Sequence, residues 1–125
     1  MAHPLVNKVS FTGSTRIGRR MLACAAESNL KRVYLELGGK SPNVVFEDAP
    51  DLAQAAKVSA MGIFRNSGQV CVAGSRLLVQ RSVHDEFVDR LQNIASSLRV
   101  GDPLDVNMDI GAVSSVRQLA RNQSM

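Results

Sequence analysis

Apolar and polar positions change their period several times along the chain, and each change marks a predicted element. Val6–Phe11 reads as a short strand with Val9 and Phe11 on one face. The small residues Thr12-Gly13-Ser14-Thr15 punctuate it, and Ile17–Glu27 then carries Ile17, Met21, Leu22 and Ala25 at helical spacing. Arg32–Leu37 alternates, with Val33, Leu35 and Leu37 on one face and Tyr34 and Glu36 on the other. Strand, helix and strand over this span predict a βαβ unit with parallel pairing and a right-handed crossover.

Gly38-Gly39 breaks the alternation. Beyond it Asn43–Phe46 predicts a strand, and Leu52–Phe64 a helix with Leu52, Ala55, Ala56, Ala60, Ile63 and Phe64 inward. Leu77 and Val79 mark another strand. Ser82-Val83-His84-Asp85 resembles a capping box, with Asp in place of Glu or Gln, opening a helix that aligns Val83, Phe87, Leu91, Ile94 or Ala95, and Leu98. Gly101-Asp102-Pro103 ends that helix, and a weak helix near Ser115–Asn122 follows. The fold class is α/β.

Composition narrows the function classes. Of 125 residues, 45% are hydrophobic and 21% charged, as in ordinary globular domains. The apolar run Val58–Phe64 is far too short to span a bilayer, so no membrane partner is expected. Met1–Lys8 shows no secretory signal, which favours a cytoplasmic location. The net charge of +4 is spread over Arg19–Arg20, Lys31–Arg32 and Arg76 to Arg81, and aromatic residues are only 4% of the chain. That reads as a mildly basic solvated surface and not as a nucleic-acid footprint. Two cysteines, Cys24 and Cys71, make neither a disulfide framework nor a metal-ligand spacing, and His3 and His84 add no ligand pattern, so no metal is expected.

Three segments carry candidate chemistry. Cys71 lies in Gly68-Gln69-Val70-Cys71-Val72-Ala73-Gly74-Ser75-Arg76, on a predicted loop between a helix and a strand. The small residues Gly68, Ala73 and Gly74 would admit a substrate and a cofactor close to the sulfur. By base rate a lone cysteine is a small core residue, and Cys24 on its helix illustrates that reading. Glu36 ends an otherwise apolar strand beside paired glycines; burial there would raise its pKa and suit a general base, while an ion pair to Lys40 or Arg32 is the plainer alternative. Phe11-Thr12-Gly13-Ser14-Thr15-Arg16-Ile17-Gly18 runs strand, small-residue turn, helix start, an arrangement that can receive an anion. Thr15 replaces the second glycine of the dinucleotide fingerprint, and Tyr34 the first glycine of a P-loop ending at Gly39-Lys40-Ser41. Spacing alone leaves a plain capped helix open.

In this order, Phe-Thr-Gly-Ser-Thr-x-x-Gly, then Leu35-Glu36-Leu37-Gly38-Gly39-Lys40-Ser41-Pro42-Asn43, then the Gly68–Arg76 segment resemble the NAD(P)-dependent aldehyde dehydrogenase superfamily, with similarity from Val6 through Asp109. The resemblance implies a fragment of that fold. Residues 1–37 would be the C-terminal part of a Rossmann-like cofactor domain, its closing βαβ. Residues 38–125 would begin an α/β catalytic domain. It implies oxidation of a small-molecule aldehyde to a carboxylic acid with NAD or NADP. Cys71 would form the thiohemiacetal and thioester, and Glu36 would activate the hydrolytic water. Ser14 would contact the pyrophosphate, Gly13 and Gly18 would allow its close approach, and Leu37 and Gly38 would face the nicotinamide end.

The family's earlier cofactor-domain strands and oxyanion-hole asparagine lie upstream, and its oligomerisation strand downstream. The isolated chain is therefore expected to be inactive, and the full-length parent a homo-oligomer. Ala112 stands where the family usually has proline. The rival readings are a cofactor-independent thiol esterase and an incomplete chain with only an interaction role.

Overall fold

The computed structural model describes residues 1–124. They form two compact units, Met1–Gly39 and the residues from Lys40 onward.

In the first unit, strand β1 (Lys8–Gly13) pairs in parallel with β2 (Arg32–Leu37), and helix α1 (Thr15–Ala26) connects them. Partners run from Lys8↔Arg32 to Gly13↔Leu37. Parallel pairing needs a crossover, and α1 supplies it while covering one face of the pair. That face is the alternating set Val9, Phe11, Val33, Leu35 and Leu37, all half-buried. Beneath it lie Ile17, Gly18, Met21 and Ala25 of α1, whereas Leu22, expected inward, is exposed. Glycine at 18 is a packing requirement: a Cβ there would come within 2.8 Å of Leu37 Cδ2 and 3.5 Å of Leu35 Cδ1. Strand β1 starts later than Val6 because the register with β2 sets its limits, drawing Thr12 and Gly13 into the ladder.

Lys31 departs from the expected solvated surface. It is only 6% exposed, and its ammonium donates to Ser28 Oγ at 2.7 Å, which in turn donates to the Cys24 carbonyl at 2.8 Å. A buried polar head needs such an acceptor, and through it this lysine ties down the turn after α1.

The second unit repeats the pattern. Strand β3 (Pro42–Val45) pairs in parallel with β4 (Arg76–Val79), and α2 (Leu52–Phe64) lies between them in sequence. Asp51 caps α2 by accepting from the Gln54 N–H at 2.9 Å, which satisfies a helix-end donor. Helix α3 (His84–Ser97) packs on α2, and fully buried Phe87 meets Val45 and Ala56. Leu52, Leu77, Val79, Leu91 and Ile94 close around that cluster. A last helix, α4 (Val116–Gln123), is capped by the Ser115 side chain.

The capping box expected at Ser82–Asp85 is not formed. Arg81–Val83 is a 3-10 turn, α3 starts at His84, and no side chain caps it. The Ser82 hydroxyl instead donates to Glu47 Oε2 at 2.6 Å, and Asp85 Oδ1 meets His84 Nδ1 at 2.8 Å. Ser82 lies inside the 3-10 turn and Val83 takes the N-cap position, so the hydroxyl is not placed to cap α3. Among the described residues no helix is long and apolar enough to cross a membrane, and no group of three or more His, Cys, Asp or Glu could hold a metal ion.

Candidate active site

In the first unit, Gly13, Ser14, Gly18 and Leu37 gather where the C-terminal ends of β1 and β2 meet the start of α1. Ser14 is the N-cap of α1, its hydroxyl oxygen accepting from the Ile17 N–H at 3.4 Å. The helix start carries the positive end of the α1 dipole, and no acidic residue stands in the first turn to neutralise it. Arg16, Arg19 and Arg20 are exposed along the same helix. The donor set therefore suits a phosphate-type anion.

Gly18 and the Leu37 side chain pack against each other, so glycine at 18 serves the helix–strand contact. A Cβ at Gly38, by contrast, would meet nothing within 4 Å. Glu36 pairs with Thr12 in the ladder and lies on the uncovered face of β2. It is exposed, so the burial considered for it is not met: α1 covers only the Val33-Leu35-Leu37 face.

In the second unit, Cys71 sits between α2 and β4. The chain leaves α2 through a turn at Arg65–Gly68 in which Asn66, Ser67 and Gly68 have φ of 53°, 56° and 70°. Three consecutive left-handed residues reverse the chain sharply, at a cost for the two that are not glycine. Cys71 and Val72 then form the corner of a tight turn closed by the Ala73 N–H donating to the Val70 carbonyl at 3.1 Å. Cys71 is exposed, Cys24 is partly buried, and both are free thiols.

The small residues around Cys71 also serve the local packing. Gly68 takes positive φ, Ala73 is buried at 8%, and a Cβ on Gly74 would come within 3.2 Å of Asn43 Cβ. Their smallness seats the turn on the protein beneath it. Asn43 is itself held, its amide donating to Ser59 Oγ at 2.8 Å.

Sequence reasoning missed a further set of contacts. The Ser67 hydroxyl donates to the Gly111 carbonyl at 2.9 Å, with the Ala112 carbonyl at 3.5 Å, and the Ser114 N–H donates to Gln69 Oε1 at 3.3 Å. Bonds reaching over forty residues along the chain leave no local periodic signal.

With Cys71 exposed on its turn and Ser14 capping α1, the family comparison decides the rest: all of residues 1–125 match the model of the aldehyde dehydrogenase family. The chain belongs to the aldehyde dehydrogenase family. It is 50% identical over 111 residues to the NADP/NAD-dependent aldehyde dehydrogenase PuuC of Escherichia coli K12, covering 89% of this chain and 22% of that protein. Among solved structures, gamma-glutamyl-gamma-aminobutyraldehyde dehydrogenase from Burkholderia cenocepacia J2315 is 48% identical with a TM-score of 0.93, covering 96% of this chain and 24% of that one. Indole-3-acetaldehyde dehydrogenase in complex with NAD+ is 47% identical with a TM-score of 0.96, covering 98% and 25%. The architecture is thus an α/β portion of the aldehyde dehydrogenase fold, and the chain spans about a quarter of the length of these relatives.

Proposed function

We propose that this chain carries the nucleophile and the hydrolytic base of an enzyme that oxidises aldehydes to carboxylic acids with NAD or NADP. The observation that carries the reading is Cys71, an exposed thiol on a turn anchored from both sides, within a chain that matches the family throughout. The first unit is then the closing βαβ of a Rossmann-like cofactor domain, and the second opens the catalytic domain.

Ser14 and the start of α1 fit the dinucleotide's pyrophosphate, with Gly13 leaving room at the strand end. Gly38, open to its surroundings, fits the nicotinamide end. A bound nicotinamide would supply the acceptor for the hydride that leaves the aldehyde carbon when the thiohemiacetal oxyanion re-forms its C=O bond and leaves an acyl group on sulfur. On the protein, the deprotonated Cys71 sulfur bonds to the carbonyl carbon, and the carbonyl oxygen takes up the displaced electron pair. Preorganised N–H donors stabilise that oxyanion. Release runs through water: Glu36 takes a proton from it, oxygen bonds to the acyl carbon, and sulfur leaves as thiolate. Two unpaired thiols agree with a reducing, cytoplasmic setting, and the parent enzyme is a homo-oligomer in this reading.

Acylation by an activated ester, followed by intact mass, tests the nucleophile. The acyl group should map to Cys71 and vanish in Cys71→Ala; an adduct that persists in that variant sinks the assignment. In a full-length enzyme carrying this segment, Glu36→Gln should slow deacylation by roughly 10²-fold or more and leave thiol attack nearly intact. Equal rates would make Glu36 structural.

A further inference from the structure

We propose that Ser67 is a positioning residue for Cys71, clamping the turn that carries the thiol to the backbone at Gly111–Ala112. The inference rests on the reading of Cys71 as nucleophile and concerns a residue that does not touch the reacting atoms.

Ser67 is the middle of the left-handed run, with φ of 56°, a conformation a serine adopts only when its surroundings compensate. Its hydroxyl finds the compensation in the Gly111 carbonyl at 2.9 Å. Two residues on, Gln69 Oε1 receives the Ser114 N–H at 3.3 Å, so the approach to Cys71 is fastened twice to one segment. The run is also closed internally, the Gln69 N–H donating to the Asn66 carbonyl at 3.0 Å and Asn66 Nδ2 to the Gln69 carbonyl at 3.3 Å.

The far side of the clamp is anchored as well. A Cβ on Gly111 would come within 3.0 Å of Pro103 Cβ, so the carbonyl that Ser67 uses belongs to a residue pressed against the preceding loop. Ile110 donates its N–H to the Arg99 carbonyl at 3.1 Å and accepts from the Gly101 N–H at 3.0 Å. Asp109 binds Arg99 through Nε at 3.0 Å and through its backbone N–H at 2.9 Å. Fixed contacts therefore run from the end of α3 through residues 109–111 to Ser67, four positions before the thiol. Fixing a nucleophile in this way raises its rate by limiting the orientations it samples.

The test compares Ser67→Gly, which tolerates positive φ and lacks the donor, with Ser67→Asn, which tolerates it and restores a donor. Relief of backbone strain offsets the lost hydrogen bond in Ser67→Gly, so the fold should persist. Amide exchange should quicken roughly five- to tenfold at Ala73, whose N–H closes the Cys71 turn, and stay unchanged in α2 and α3. Acylation of Cys71 by p-nitrophenyl acetate should fall by a similar factor, with iodoacetamide labelling of Cys24 unaltered. Ser67→Asn should recover both. A second variant, Gln69→Leu, should quicken Ala73 exchange in the same direction. Unchanged Ala73 exchange in Ser67→Gly, or an asparagine variant no better than glycine, overturns the proposal. If Cys71 takes no acyl group even in the unaltered chain, the nucleophile reading fails, and Ala73 exchange still decides the clamp.

Discussion

Phe87 illustrates how much one residue holds in a unit this small. It is fully buried between Val45 and Ala56, and its truncation leaves a cavity that short neighbours cannot fill. Phe87→Ala should cost about 3–5 kcal/mol by denaturant unfolding; a loss under ~1 kcal/mol would mean that the second unit has another core. The family was legible in the sequence because the glutamate and cysteine segments that carry the candidate residues are long and specific. Their environments were not. Glu36 was read on the polar face of its strand, with burial there as the condition for a raised pKa, and the structure leaves that face exposed. Lys31 errs the opposite way: a charged residue in a turn reads as solvated until Ser28 supplies an acceptor for it.

At the scale of elements, β2 and α2 coincide with the sequence reading, since an unbroken period fixes both ends. Strands β1 and β3 are displaced by one or two residues because their partners, not their own composition, decide where pairing stops. The missing cap of α3 follows from the 3-10 turn that places Val83 at the N-cap position, while Ser82 bonds Glu47, thirty-five residues away, and no local rule anticipates either. Where a cap does form, its removal is measurable. Asp51→Ala should destabilise the second unit by roughly 1 kcal/mol, read as a lower denaturation midpoint with an unchanged slope. No shift would show that the free N–H groups of α2 are as well served by water.

For the whole molecule, pH acts on a contact of known sign. Asp109 has its pKa lowered, chiefly by its side-chain hydrogen bond to Arg99 and then by the Arg99 backbone N–H; Arg99 is raised in turn. A carboxylate depressed in the folded state contributes stability that is present above its unfolded pKa and lost as pH falls through the lower, folded one. The pair is solvent-exposed, so the effect is local. Acidification from neutral to about pH 5 should leave the Arg99–Asp109 contact intact, and release should come only below the usual aspartate range of ~3.9. An Asp109 carboxyl titrating above that range by NMR contradicts the assigned cause.

The parallel ladders have a consequence for how the chain acquires its structure. Neither pair of strands can form as a hairpin, so no local nucleus can zip up one residue at a time. The segment between β1 and β2 must be drawn into a closed loop before the first interstrand bond offsets any lost freedom, and the helix within it is what shortens that search. Each unit should therefore assemble as one block, its helix and both strands gaining protection together in pulse-labelled exchange. Strand amides protected well before α1 or α2 would reveal a different order of events.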